Sequence, residues 1–300
     1  MAFHWIGKSA DGETVTLKRL KPSDFRAAPY FDPSWEASNA DLVRTGAVID
    51  VETSGLNSDD ACVIEIGLRL FKFNRQTGDV LELLEGYSAF QDPGHELSEE
   101  IVRLTGITDE MVKGCSIDWQ KVDALLEAAH IVIAHNAAFD RPFIDRLSTV
   151  SRNKIWGCSL KQIDWSAKGF TSKKLDILSI WHGFFTDAHR ALNDSDALLH
   201  LLSMTDANGS KAYLLELLLN ARKTSVQMLA IGAPFETKDL LKARGYRWDN
   251  QNRRWWKELD PSALLDETAW LEEAVYRGPF RGQMVEIPPV DHFKGKAEPA

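Results

Sequence analysis

The chain has 300 residues, 44% of them apolar and 26% charged, as in a globular protein of one large domain or one domain plus a small appendage. Its net charge of −9 excludes a surface that coats nucleic acid wholesale, although a local basic groove could still act, because affinity follows the local field. No apolar run reaches the roughly 18 residues that a membrane span needs, so a membrane partner is not expected.

Met1–Trp5 opens without the basic-then-apolar pattern of a secretory signal. The three cysteines (Cys62, Cys115, Cys158) sit in apolar settings without metal-ligand spacing and read as reduced thiols. Both features lead to the expectation of a cytoplasmic protein.

Residues 1–40 show no sustained periodicity and read as an N-terminal extension that packs on the body or stays partly loose. The stretch 46–56 carries the first chemical signal. Ala47, Val48, Ile49 and Val51 make a buried strand, and Asp50 and Glu52 occupy alternate positions near its end. A strand has a side-chain period of two, so both carboxylates project from one face. They repel each other unless a cation lies between them, and hard divalent ions take oxygen ligands. The plainer alternative is a solvated acidic strand end.

Residues 61–73 and 80–90 read as two further strands joined by short loops, which makes an antiparallel meander at the start of a mixed sheet. Ser98, followed by Glu99 and Glu100, marks a helix start that Gly106 stops, and 119–129 is helical by the spacing of Val122, Leu125 and Leu126. A buried strand at 130–134 runs into a helix opened by 135–140. On the helical wheel Asp140 falls inside the arc of Phe143, Ile144 and Leu147, whereas Asp145 falls opposite and faces water. An acid aimed into the fold needs a partner, so Asp140 is a third candidate ligand.

A strand at 155–159 and a helix at 175–184 come next. In the helix opened by 189–199, Ala191, Ser195, Leu198 and Leu202 define the buried face. Asp194 sits on its edge and Asp196 points outward, which makes Asp194 the fourth candidate ligand. His189 stands at the helix start, free to lean over the same pocket, although a lone histidine there is more often structural.

The C-terminal third changes character. After an apolar helix at 211–219, residues 234–248 read as a helix, a glycine stop and a strand, with 249–252 as a turn and 253–257 as the return strand. A helix at 261–276 and an irregular tail at 278–300 complete the chain. The expected division is 1–40, 41–222 and 223–300. Segment 235–258 carries seven cations against four acids, and Arg247, Trp248, Arg254 and Trp256 are its candidate nucleic-acid contacts. The alternative is a packing hairpin whose tryptophans seal a small core.

Asp50-x-Glu52, the block His135-Asn136-x-x-Phe139-Asp140, and His189 with Asp194 five residues on resemble the DEDDh exonucleases. These are the DnaQ-like group, which includes the proofreading subunit of bacterial DNA polymerase III. The resemblance spans roughly 44–205 and includes Thr105-Gly106-Ile107-Thr108.

It implies an α/β fold, a ribonuclease H-like mixed sheet flanked by helices, followed here by a small α+β module. It further implies 3′→5′ hydrolysis of nucleic acid from a free 3′ end, with DNA favoured over RNA, using two divalent ions (Mg²⁺ or Mn²⁺). Asp50, Glu52, Asp140 and Asp194 would hold the metals, with His189 as general base. Leu56 and Phe139 would pack on the terminal nucleotides, and Thr53, His135 and Asn136 would line the substrate. The competing readings are an exoribonuclease with the same site and a silent nucleic-acid-binding protein; the intact five residues argue against the second. The resemblance admits a polymerase partner, although no recognisable clamp-binding peptide or polymerase domain is present. The 235–258 segment is similar to HARP-like modules over about 25 residues.

Overall fold

The structure, a computed structural model, describes residues 7–11, 13–21, 33–187, 189–205 and 211–295. The expected signal-free start Met1–Trp5, part of the N-terminal extension and the last residues of the tail lie outside them. The chain divides into two compact units, Met1–Ala221 with Phe293–Ala300, and Arg222–His292. Among the described residues no helix is long and apolar enough to cross a membrane.

The N-terminal segment contributes β1 (Gly7–Lys8), β2 (Val15–Thr16), β3 (Lys18–Arg19) and α1 (Pro33–Ser38). The central sheet then opens with β4 (Val43–Thr53), β5 (Val63–Asn74) and β6 (Val80–Phe90), an antiparallel meander. After α2 (Glu99–Thr105), α3 (Asp109–Val112) and α4 (Trp119–Ala128), β7 (Ile131–Ala134) joins parallel to β4. Beyond α5 (Ala137–Leu147), β8 (Trp156–Cys158) joins parallel to β7. The strand order is therefore β6-β5-β4-β7-β8, the mixed sheet expected from the sequence. Next come α6 (Ser159–Gln162), α7 (Leu175–Trp181), β9 (Phe184–Phe185), α8 (Ala191–Ser203) and α9 (Tyr213–Ala221). β1 and β2 pair with each other, and β3 runs parallel beside β9, which ties Lys18–Arg19 of the extension to the body.

β4 lies mid-sheet and is covered on both faces, which explains its continuous apolar run. On one face Val48, Phe71 and Ile133 meet Leu198 and Leu202 of α8 and Leu217 of α9. On the other Ile49, Leu68 and Val132 meet Leu126 of α4 and Phe143 and Ile144 of α5. Each such side chain, taken fully out of water, contributes about 1.5–3 kcal/mol.

Two outward-facing expectations are corrected. Asp145 is largely covered, because the turn after α5 closes over it: it accepts from the fully buried Arg141 (3.0 Å) and from Ser151. Asp196 is buried against Arg69 of β5, a partner that a helical wheel drawn from apolar neighbours cannot show.

The second unit is an antiparallel sheet of order β11-β12-β10-β13, built from β10 (Ser225–Ala230), β11 (Arg247–Asp249), β12 (Arg254–Leu259) and β13 (Gln283–Ile287). Two helices, α10 (Lys238–Ala243) and α11 (Leu264–Trp270, continued by a π turn to Tyr276), pack on one face. Their core is Met228, Leu241, Tyr246, Trp255, Leu271 and Val275. The tail expected to be irregular supplies β13, and Phe293 then returns to the first unit's core. The hairpin turn falls at 250–253, one residue later than expected. Arg253 is therefore a turn residue (φ 49°), off the face that Trp255 shares with Lys257.

Candidate active site: a carboxylate cluster at the end of the central strand

The register of β4 against β5 sets the site. Asp50 lies opposite Gly67 and Glu52 opposite Glu65, with all four positions on one face. A Cβ at Gly67 would come within 2.1 Å of the Ala191 and Leu192 backbone. The missing side chain lets the N-terminus of α8 rest directly on β5, where Ser195 Oγ donates to Gly67 O (3.0 Å). That approach delivers Asp194, and ligand oxygens of Asp50, Glu52 and Asp194 come within 4.8 Å of one another.

Asp140 stands beside this trio. It is 3% exposed, and its Oδ1 accepts the Val51 N–H (3.2 Å), past the stretch where β7 pairs with β4. Its charge still reaches Asp50, where it is the largest cause after burial of a strong upward pKa shift.

All four acids are held above the usual carboxylate range, burial being the largest cause for each. Asp50 is pushed well up, Glu52 to about 7, Asp140 to about 7 and Asp194 to about 6. Like charges reinforce the shift at Asp50 and Glu52. A set of carboxylates that disfavours its own ionisation is the donor chemistry of a hard divalent cation, which would relieve both costs. The residues therefore fit such an ion.

His189 sits just before α8 with φ 64°, a left-handed conformation held by its N–H donating to Asp194 Oδ2 (2.9 Å). Its side chain is 54% exposed, and Nδ1 lies 3.9 Å from Glu52 Oε1. Arg190 was not legible as a site residue. Its Nη1 donates to Thr105 O (3.0 Å) and His189 O (2.8 Å), fastening the 105–108 loop to the histidine, and its charge lowers Glu52. Glu65 was missed as well: it is buried, burial raises its pKa while the nearby Ala191 backbone N–H and Arg190 lower it, and its Oε2 has no hydrogen-bond partner among the described residues. Pairing the two predicted strands in register would have placed it opposite Glu52.

The other expected contacts divide. Leu56 is 84% exposed in the loop after β4, an apolar side chain with its surface open to a ligand. Phe139 is half-buried against Phe143, with centroids 5.3 Å apart. Asn136 is exposed at the N-cap of α5, and Thr53 Oγ1 donates to Gly55 O (2.6 Å), shaping the turn. His135 is a correction. Its ring nitrogens are engaged by Ser159 Oγ and Lys173 O, both at 2.8 Å, and burial pushes it down to about 4, so it braces the fold rather than meeting substrate.

In the second unit Arg247 lies over Trp256 (5.7 Å), and Trp248, half-exposed, tilts against the buried Trp255 (5.3 Å). Arg254 is half-buried near Asp249 (3.9 Å), so it is withdrawn from the set of open contacts. Arg244 and Lys257, counted among the seven cations of 235–258, both bind Glu267. Across 222–292 eleven basic residues meet eleven acidic ones, so the unit is neutral overall.

A family model described as exonuclease, RNase_T, matches residues 47–202. DNA polymerase III PolC-type of Listeria welshimeri serovar 6b is 39% identical over 169 residues, covering 52% of this chain and 11% of that protein. The PolC-type enzyme of Halalkalibacterium halodurans is 29% identical over 175 residues, with the same coverage. The chain thus spans about a ninth of the length of these curated relatives. A solved structure, exonuclease X in complex with 5′ overhanging duplex DNA, is 22% identical with a TM-score of 0.40, covering 57% of this chain and 99% of that one.

Proposed function

The chain belongs to the RNase_T exonuclease family, and from that premise we propose that it removes nucleotides 3′→5′ from single-stranded DNA with two divalent ions, Mg²⁺ or Mn²⁺. The observation that carries the reading is the convergence of Asp50, Glu52 and Asp194 under His189. The polymerase names of the relatives favour DNA over RNA.

Divalent ions, when bound, would neutralise charge on the attacking and leaving oxygens of the phosphodiester. Asp50, Glu52, Asp140 and Asp194 would hold them, Asp140 through the oxygen that Val51 does not occupy. His189, anchored through its backbone and with its ring exposed, takes the proton of the attacking water, a role suited to an imidazole near neutral pH. Arg190 keeps the histidine and the 105–108 loop in place. Leu56 and Phe139 pack on the terminal bases.

Single strands of DNA and RNA labelled at the 3′ or the 5′ end, assayed with Mg²⁺, test this. Mononucleotides should leave the 3′ end, DNA should be cut faster than RNA, and chelation should stop the reaction. Internal cuts, or equal rates from both ends, would overturn it.

The pair Arg247–Trp256, with Trp248, supports a secondary contact to long strands by phosphate attraction and base stacking. Arg247→Ala and Trp256→Ala should raise KM for long strands, leave dinucleotides unaffected, and in the arginine variant reduce the salt slope by about one. Deleting 232–300 is a poorer test, because it also removes Phe293 from the first unit's core.

A further inference from the structure

Residues 65, 67 and 69 share one face of β5, and the last two hold α8: Gly67 O accepts from Ser195 Oγ (3.0 Å), and Arg69 donates to Asp196 from Nε (2.7 Å) and Nη2 (2.9 Å). Arg69 Nη1 also reaches Leu84 O (3.3 Å), and both side chains of the ion pair are almost covered, at 15% and 11% exposure. β6 makes room for the guanidinium: a Cβ at Gly86 would lie 2.4 Å from Arg69 Nη1.

A covered ion pair is a weak device for stability, since its attraction is largely offset by desolvation, but its fork geometry fixes orientation well. Helix geometry shows what is oriented. Consecutive residues are about 100° apart, so Asp194 and Asp196 project to opposite sides of Ser195, whose hydroxyl ties α8 to the Gly67 carbonyl. Rolling the helix about that fulcrum moves one aspartate up as the other goes down.

We propose that the Arg69–Asp196 pair, seated in the slot left by Gly86, sets the roll of α8 and so places Asp194 among the cluster carboxylates. Arg69 and Asp196 are positioning residues, since neither belongs to the carboxylate trio. The proposal rests on the reading of that trio as a metal site.

The test uses the full-length chain and three variants: Arg69→Gln, Asp196→Asn and Gly86→Ala. The last displaces the guanidinium without altering either partner. Mn²⁺ binding is followed by electron paramagnetic resonance, kcat and KM are measured on single-stranded DNA, and melting on the same samples. The expected result is Mn²⁺ affinity about tenfold weaker, kcat at least tenfold lower, and KM unchanged in all three. The double variant Arg69→Gln/Asp196→Asn should be no worse than the weaker single variant. Lower melting temperatures with Mn²⁺ affinity and kcat unchanged would overturn the proposal. If the arginine variant fails to fold, Gly86→Ala decides alone, and wild-type values in that variant would also overturn it. Wild-type chain that binds Mn²⁺ yet hydrolyses no strand would defeat the functional reading, while the Mn²⁺ comparison among variants would still judge the pair.

Discussion

Both units bury acids, and they treat them oppositely. In the second unit Glu267, 3% exposed, receives Arg244 (3.2 Å) and Lys257 (3.1 Å) on one oxygen. In the first, Asp50, Glu52 and Asp194 face one another, and Arg190 offsets Glu52 only in part, since its shift remains upward. Desolvation acts on both groups. Where the chain supplies its own cations the acid is a structural joint. Where it does not, the repulsion is left for an ion from solution to relieve, and that is where the chemistry belongs.

Removing a carboxylate should give the largest contrast. Asp50→Asn or Asp194→Asn should lower kcat by at least about 10³-fold, because a ligand supplies several kcal/mol of charge stabilisation to the transition state. Melting without metal should hold or rise, since a repelling charge has gone. A loss of activity explained wholly by unfolding would erase the contrast. His189→Ala should cost about 10²- to 10⁴-fold in kcat as a lost general base while Mn²⁺ binding persists. Unchanged turnover across pH 6–8 would retire the histidine from that role.

A third measurement sharpens the comparison through pH. Folded-state values of about 7 for Glu52 and Asp140 and about 6 for Asp194 exceed the ordinary carboxylate values, so the metal-free folded state binds more protons than the unfolded chain between about pH 4 and 7. Stability should therefore fall as pH rises through that window, and added Mg²⁺ should restore it at pH 7.5. Calorimetry in chelator showing no loss between pH 5 and 7.5 would contradict the repulsive cluster. The smallest effect belongs to the compensated acid. Glu267→Gln should weaken the second unit by about 1–3 kcal/mol, a modest figure because Arg244 is 41% exposed, and leave kcat on dinucleotides unchanged.

Much of this contrast could be read along the chain. Alternation in 46–52 placed Asp50 and Glu52 together, and helical phase singled out Asp140 and Asp194. The same helical phase failed at Asp196 and Asp145, because a wheel weighs apolar neighbours and cannot see Arg69 or Ser151 arriving from elsewhere. Charge counting over 235–258 erred similarly, since Arg244 and Lys257 are engaged by a glutamate just outside that window.

By itself the sequence determined the strands of the meander, most of the longer helices and the acids at the end of the central strand. Their signals are local: a period of two or of 3.6, a cap, a glycine stop. Tertiary structure alone decided that Gly67 would seat α8, that Glu65 would face Glu52, that Arg69 would hold Asp196, and that 283–287 would become an edge strand of the second sheet. It also engaged both ring nitrogens of His135, expected to line the substrate, with Ser159 Oγ and Lys173 O. Each of these depends on which distant segments meet and in what register. A one-residue slip between β4 and β5 would send Glu65 and Gly67 to the opposite face, and the strand's own periodicity would be unchanged by it.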